Sequence, residues 1–139
     1  MTGVCFRREQ SWEQDQWSFV FSNFGVTEIW ERGFDGNKDL NIYQPTIKID
    51  TAKELPDRPL VVLAHIEGRY YQGNESLVDF VHPDDAIYMF GSSMANLTDE
   101  DDLGGRVPDH LVYIPSVKCE MYSHAAAYIT LYDRLAKNG

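Results

Sequence analysis

Several absences narrow this chain before any residue is given a role. Only two of its 139 residues are cysteine. Cys5 and Cys119 make a poor disulfide framework, so reduced thiols in a cytosolic chain are expected, with a single distant bridge left open. No apolar run approaches the roughly 20 residues needed to cross a bilayer. Met1-Thr2-Gly3 begins no signal peptide, because no basic segment leads into an apolar one. Cations are scarce: 12 Lys and Arg stand against 22 Asp and Glu, a net charge of −10. That balance excludes a broad nucleic-acid surface, since non-specific binding rests on Lys and Arg neutralising phosphates. RNA would have to be met by a local basic patch, and neither DNA nor a membrane is an expected partner. A G-x-G-x-x-G turn opening a helix, a P-loop, a G-x-S-x-G elbow and zinc-type cysteine spacing are all missing. No repeat or low-complexity linker interrupts the chain, and no metal site is expected.

What is there is ordinary in bulk and ordered in pattern. Hydrophobic content of 43% and charged content of 24% suit one globular domain over residues 1–139. Gly3-Val4-Cys5-Phe6 reads as a short buried strand with Arg7 and Arg8 at its carboxyl end. Ser11-Trp12-Glu13-Gln14 has the form of a capping box. Trp17, Val20, Phe21 and Phe24 then fall on one helical face, and Gly25 supplies the stop. Val26 to Trp30 resumes as strand, giving a β-α-β unit with a parallel crossover. Thr46 to Ile49 alternates like an edge strand beside Pro45. Asp50 to Arg58 has room for one helical turn. Leu60 to Ala64 is continuously apolar, as a strand buried on both faces should be. Glu75 to Val81 is expected to be a short helix capped by Asn74 and stopped by Pro83. Ala86 to Phe90 is the next buried strand, and the acidic run Thr98 to Asp102 reads as a solvated helix start.

The last thirty residues organise the rest. An apolar strand, His110 to Ile114, ends at Pro115-Ser116, and a polar loop leads to a helix from Ser123. Ala125, Tyr128, Ile129 and Tyr132 form one stripe of that helix, and Ala127, Leu131 and Leu135 a second. A helix apolar on two faces must be covered on both. Alternating strands and helices predict an α/β fold with a mostly parallel sheet flanked by helices. In such sheets ligands collect beyond the carboxyl ends of strands. Here those ends are small or polar: Ala64 to Gly68, Phe90 to Ser93, and Ile114 to Met121.

The order of these segments resembles the SPOUT superfamily, specifically its SpoU/TrmH-type RNA methyltransferases. The residues that carry the likeness are Phe90-Gly91-Ser92-Ser93 with Leu97, Ile114-Pro115-Ser116, Met121-Tyr122-Ser123, Ala126-Ala127 and Leu131-Tyr132-Asp133. Ser22-Asn23-Phe24-Gly25 fits the family's first turn. The resemblance implies a C-terminal trefoil knot, a homodimer packed through the first and last helices, and S-adenosylmethionine held bent in the knot. It also implies methylation of a tRNA or rRNA ribose at the 2′ oxygen. By the same resemblance the cofactor contacts are Leu63, Ala64, His65, Glu67, Gly68, Met89, Phe90, Gly91, Ser92, Ile114, Val117, Met121, Ser123 and Ala126.

The polar positions depart from the family. The first motif's asparagine and arginine fall at Glu13 and Phe19, the second motif's glutamate at Ser93, and the third motif's serine and asparagine at Glu120 and Tyr122. Backbone and packing positions are kept, and a cofactor held by main-chain groups and apolar walls tolerates such change. A missing base costs on the order of 100- to 10,000-fold in rate. Arg7 and Arg8, with Tyr122, are the replacements this chain offers near an acceptor; a surface role is the simpler one for the two arginines. Trp12 and Trp17 read as packing residues, Trp12 also as a stacking surface if exposed. His65 and His124 read as structural. Three functions stay open: an RNA methyltransferase, a non-catalytic dimeric cofactor-binding protein, and a small-molecule methyltransferase.

Overall fold

The computed structural model describes residues 2–7, 11–33, 43–64, 74–91, 102–115 and 121–138. Strand β1 (Gly3–Arg7) leads to helix α1 (Ser11–Asn23) and strand β2 (Glu28–Arg32). Then come β3 (Ile47–Lys48), a single 3-10 turn at Ala52–Glu54, β4 (Leu60–Leu63), β5 (Glu75–Ser76), β6 (Ile87–Met89), β7 (His110–Tyr113) and helix α2 (Ser123–Asn138). Among the described residues the strands form one sheet in the order β3-β2-β1-β6-β4-β7-β5, and every pairing is parallel.

Local chemistry explains most of these elements. Helix α1 stops where Gly25 takes a positive φ of 62° and the Val26 amide donates back to the Phe21 carbonyl at 2.9 Å, the arrangement a glycine cap permits. The turn at Ala52–Glu54 is closed by a capping box: Thr51 accepts from the Lys53 amide, and Glu54 Oε2 accepts from the Thr51 amide at 3.1 Å. Strand β3 lies at the sheet edge, as Pro45 requires. Gly3 sits where a side chain cannot: a Cβ there would come within 2.6 Å of the Trp30 ring.

Side-chain alternation along the strands splits the core into two layers. Val4, Phe6, Val61, Tyr88, Phe90 and Val112 meet Trp17, Val20 and Phe21 of α1 and Ala127 and Leu131 of α2 on one face. Cys5, Leu60, Val62, Ile87 and Met89 point to the other, covered by Ile49, Ala52, Leu55 and Leu103. Both described helices therefore lie on one face of the sheet. Burial pushes the Cys5 thiol pKa up, against the pull of Arg32, which leaves it an inert core group.

Two expectations are overturned. Glu75 to Val81 is not a helix. Glu75 and Ser76 pair with Val112 and Tyr113, the Asn74 amide donates to Leu111 at 3.0 Å and the Leu77 amide to Tyr113 at 2.9 Å. An isolated helix of two turns is marginal, and an open sheet edge offers these amides better partners. Nor is Asp102 solvated: it is 4% exposed and held by arginines. A third outcome is partial. The stripe Ala127–Leu131 of α2 is buried, whereas Ile129, Tyr132 and Leu135 are exposed. The threading expected of the C-terminal segment turns on residues 92–101 and 116–120, which lie outside the described residues.

Candidate functional site

Strands β6, β4 and β7 are consecutive in the sheet and run the same way. Their carboxyl ends therefore lie side by side, although they are far apart in sequence. Val62 is level with Met89 and Leu63 with Val112, and the Ala64 amide donates to the Val112 carbonyl at 2.8 Å. Leu63, Ile114 and Ala126 pack against the cluster that holds Phe90 and Ala127. Ala64, Gly91, Ile114, Met121 and Ala126 are half-buried. The sequence-predicted cofactor residues in this group are thus brought together as small and apolar positions along one edge. Met89 is different: its side chain is fully buried on the opposite face of the sheet, leaving only its backbone on offer. The Phe90 ring and Ser123 are also buried. Arg8, His65, Glu67, Gly68, Ser92 and Val117 lie outside the described residues.

Arg7 follows Cys5, which is level with Met89 of β6, so its position is alongside Gly91. Its guanidinium, 39% exposed, donates to Asp102 Oδ1 at 3.1 Å. Arg32, fully buried at the end of β2, donates to the same oxygen and to the Phe90 carbonyl. Arg32 also ties down the backbone where the β6 loop begins. Reading β2 as ending at Trp30 missed this residue; the available signal was the charged pair Glu31-Arg32 closing an apolar strand before Gly33. No spacing links Arg32 to Asp102.

The amino ends of α1 and α2 meet at this edge as well. Trp12 lies edge-on to Tyr122, with ring centroids 5.0 Å apart, and to His124 at 5.8 Å. Tyr122 and His124 are stacked at 5.4 Å with planes 8° apart. Trp12 and Tyr122 are 45% and 53% exposed, while Glu13 and His124 beneath them are 2% and 9% exposed. Glu13 Oε1 and His124 Nδ1 have no hydrogen-bond partner among the described residues. Burial lowers the His124 pKa, and the Glu13 carboxylate pulls it back up.

The other buried histidine, His82, is fully matched. Its Nε2 lies 2.7 Å from Asp133 Oδ2 and its Nδ1 2.6 Å from the Tyr88 hydroxyl. A carboxylate only accepts, so Nε2 carries the proton and Nδ1 accepts from the tyrosine. Burial lowers the His82 pKa and raises that of Tyr88, as this assignment requires. For Asp133, burial pushes upward but its bonds from His82 and Lys137 prevail, so its pKa is lowered. Lys137 also donates to the Leu77 and Phe80 carbonyls at 2.6 and 3.0 Å, pinning α2 to the turn after β5. Beside this pin a groove of about 280 Å³ is lined by Leu77, Val78, Ile114, Pro115, Ile129 and Tyr132. It shares Ile114 with the strand-end cluster and none of Ala64, Phe90 or Gly91.

Compared by sequence, the chain matches no family model and no curated protein. Compared by structure, it is similar to the SpoU methyltransferase AviRb from Streptomyces viridochromogenes in complex with AdoMet. The TM-score is 0.74 at 16% identity, over 98% of this chain and 57% of that one. It is similar too to the AdoMet-bound rRNA methyltransferase from Sinorhizobium meliloti, with a TM-score of 0.75 at 14% identity over 98% of this chain and 56% of that one. TrmJ from Z. mobilis ZM4 aligns with a TM-score of 0.73 at 13% identity, over 96% of this chain and 68% of that one. The chain spans less than two thirds of the length of the first two. At such identities the likeness is one of fold, and the conclusion is correspondingly plain: this chain has the parallel α/β fold of the SpoU/TrmH-type methyltransferases.

Proposed function

We propose that the chain binds S-adenosylmethionine at the three adjoining strand ends and methylates an RNA acceptor, with the ribose 2′ oxygen as the expected position. The observation that carries this reading is the adjacency of β6, β4 and β7, which sets the ends at Leu63-Ala64, Phe90-Gly91 and Ile114 side by side, with Ala126 of α2 packed on the same cluster. Half-buried Ala64, Gly91, Ile114 and Ala126 are small or apolar positions that suit a flat adenosyl group between backbone segments. The proposal also assigns contacts to His65, Glu67, Gly68, Ser92 and Val117, which lie outside the described residues, and takes a trefoil knot from the resemblance. When bound, S-adenosylmethionine supplies an electrophilic methyl group. The chain's own residues orient and hold. Arg32 fixes the Phe90 carbonyl, Arg7 holds a cation beside Asp102 and Gly33, and Tyr122 follows Met121 just before α2.

A second copy of the chain is the proposed cover for the exposed face of α2. Ile129, Tyr132 and Leu135 on α2 and Phe19 on α1 are all exposed, and the groove next to Pro115 continues that face. Two helical faces of this kind match a homodimer packed through the first and last helices.

Calorimetry with S-adenosylmethionine and S-adenosylhomocysteine tests the cofactor. Heat with both is expected, and Ile114→Trp, which fills the edge, should abolish it. No heat with either ligand would end the proposal. Arg7→Glu should then weaken RNA binding and flatten its salt dependence. The charge of −10 favours a second reading, a small-molecule acceptor. Label transfer to metabolites but not to bulk RNA would decide for it.

A further inference from the structure

The Arg32 guanidinium occupies a place in the sheet that a backbone amide should hold. Amides of the β6 segment alternate between neighbours: Ile87 donates to the Pro59 carbonyl just before β4 at 2.8 Å, and Phe90 to the Cys5 carbonyl of β1 at 3.0 Å. In a parallel ladder the next rungs run from the Arg7 amide to the Phe90 carbonyl and from the Gly91 amide to the Leu63 carbonyl. Neither is made. The β1–β6 pairing ends at Cys5 and Met89, the β4–β6 pairing at Val62 and Met89, and among the described residues no bond joins either of those two pairs. Instead the Phe90 carbonyl accepts from Arg32 Nη2. Arg32 reaches it from β2 across β1, passing Cys5, whose thiol feels its charge. Asp102 Oδ1 holds the other terminal nitrogen, Nη1. A buried guanidinium with an unmatched Nε is a costly way to satisfy one carbonyl, where an ordinary ladder rung would serve.

We infer that Arg32 is a wedge: a positioning residue that ends the ladder at Phe90 and keeps the carboxyl ends of β6 and β4 from closing on each other. Holding the Phe90 carbonyl toward β1 fixes the plane of the Phe90–Gly91 peptide, because that bond is planar and trans. The Gly91 N–H of the same peptide then points the opposite way, toward β4, where the Leu63 carbonyl faces it. Neither group has a hydrogen-bond partner among the described residues. The wedge thus leaves a donor and an acceptor on either side of a gap between strands, both at half-buried positions. A closed rung would leave none. Unmatched groups of this kind cost stability, and a ligand that both donates and accepts offsets the cost. The inference rests on the cofactor reading only for what enters the gap; the opening itself does not require it.

Amide hydrogen exchange, resolved residue by residue by NMR, tests the wedge. In the unliganded protein the Gly91 amide should exchange about tenfold or more faster than that of Met89, the rung before it. In Arg32→Met the rung to Leu63 can close. Gly91 exchange should then slow about tenfold or more relative to Met89, and the affinity for S-adenosylhomocysteine, read by calorimetry, should fall about tenfold. An arginine with a merely structural role gives the opposite sign, since its loss loosens the end of β6 and speeds Gly91. Gly91 exchange that is unchanged or faster in the variant overturns the wedge. If Arg32→Met does not fold, the wild-type protein decides: a Gly91 amide as slow as Met89 overturns the wedge, and a fast one that slows on adding S-adenosylhomocysteine supports it. Slowed Gly91 exchange in the variant, with no heat from either protein, keeps the wedge and removes the cofactor reading. Equal affinity in both proteins with Gly91 unchanged does the reverse.

Discussion

The two buried histidines among the described residues face opposite requirements. His82 has both ring nitrogens matched, to Tyr88 and Asp133, and Asp133 is matched again by Lys137. His124 is nearly as buried, feels the charge of the buried Glu13, and leaves its Nδ1 with nothing to bond among the described residues. A satisfied network fixes an element; a half-satisfied one costs stability and persists only where something else is gained. The first holds α2 to the sheet. The second lies at the carboxyl edge of the sheet, where ligands of parallel α/β folds collect. The Arg7–Asp102–Arg32 cluster stands between the two, because Arg32 donates to Asp102 and to the Phe90 carbonyl through its two terminal nitrogens while its buried Nε has no partner among the described residues.

That contrast can be broken by substitution. The largest loss is expected from Arg32→Met. It strips Asp102 of its buried partner and should destabilise the fold by about 3–5 kcal/mol, read from urea midpoints at constant m. It should also weaken cofactor binding, because the Phe90 carbonyl is released. His82→Ala should cost about 3 kcal/mol through the cavity and the two unmatched partners, which for a chain of this size lowers Tm by roughly 10 °C. His124→Phe should move the other way or not at all. The ring stack with Tyr122 is kept and an unmatched nitrogen is removed, so stability should stay level or rise by up to about 1 kcal/mol. If His124→Phe destabilises as much as His82→Ala, the distinction fails.

Acidity gives a smaller, graded test. Both histidines have pKa values below the ordinary 6.5, so the unfolded chain binds more protons than the native one once pH drops under that value. Their share of stability is complete above 6.5 and is lost as pH falls through the native values. Asp133, held below 3.8, adds its loss at still lower pH. Tyr88 works at the other end: its pKa is raised above 10.0, so stability falls as pH rises past 10. Tyr88→Phe should flatten the alkaline limb and leave the acid limb in place apart from the share carried through His82.

How much of this could be read beforehand follows from the range of each interaction. Helix α1 with its Gly25 stop, the buried β4 and the α2 stripe at Ala127 and Leu131 are patterns within a dozen residues, and periodicity exposes them. The capping box expected at Ser11–Gln14 is not closed, since Gln14 Oε1 accepts no hydrogen bond among the described residues. The helix expected at Glu75–Val81 failed because its composition is neutral between states and the deciding partner, β7, is more than thirty residues away. Thr130, fully buried, donates to the Ala126 carbonyl at 2.8 Å, a local bond that hides a polar residue where a stripe count passes over it.

By itself, the sequence determined most of the strands and both long helices, though not β5, and that the sheet is chiefly parallel with small or polar residues following three of the strands. Those follow from side-chain spacing and from glycine and proline, which act locally. Only tertiary structure decided that β6, β4 and β7 are neighbours, that Arg7 and Arg32 share Asp102, and that Glu13 lies buried near His124. Strand order and ion pairing join residues from 27 positions apart, as Val62 and Met89, to 95, as Arg7 and Asp102, and no pattern along a chain records which distant groups its folding will bring into contact.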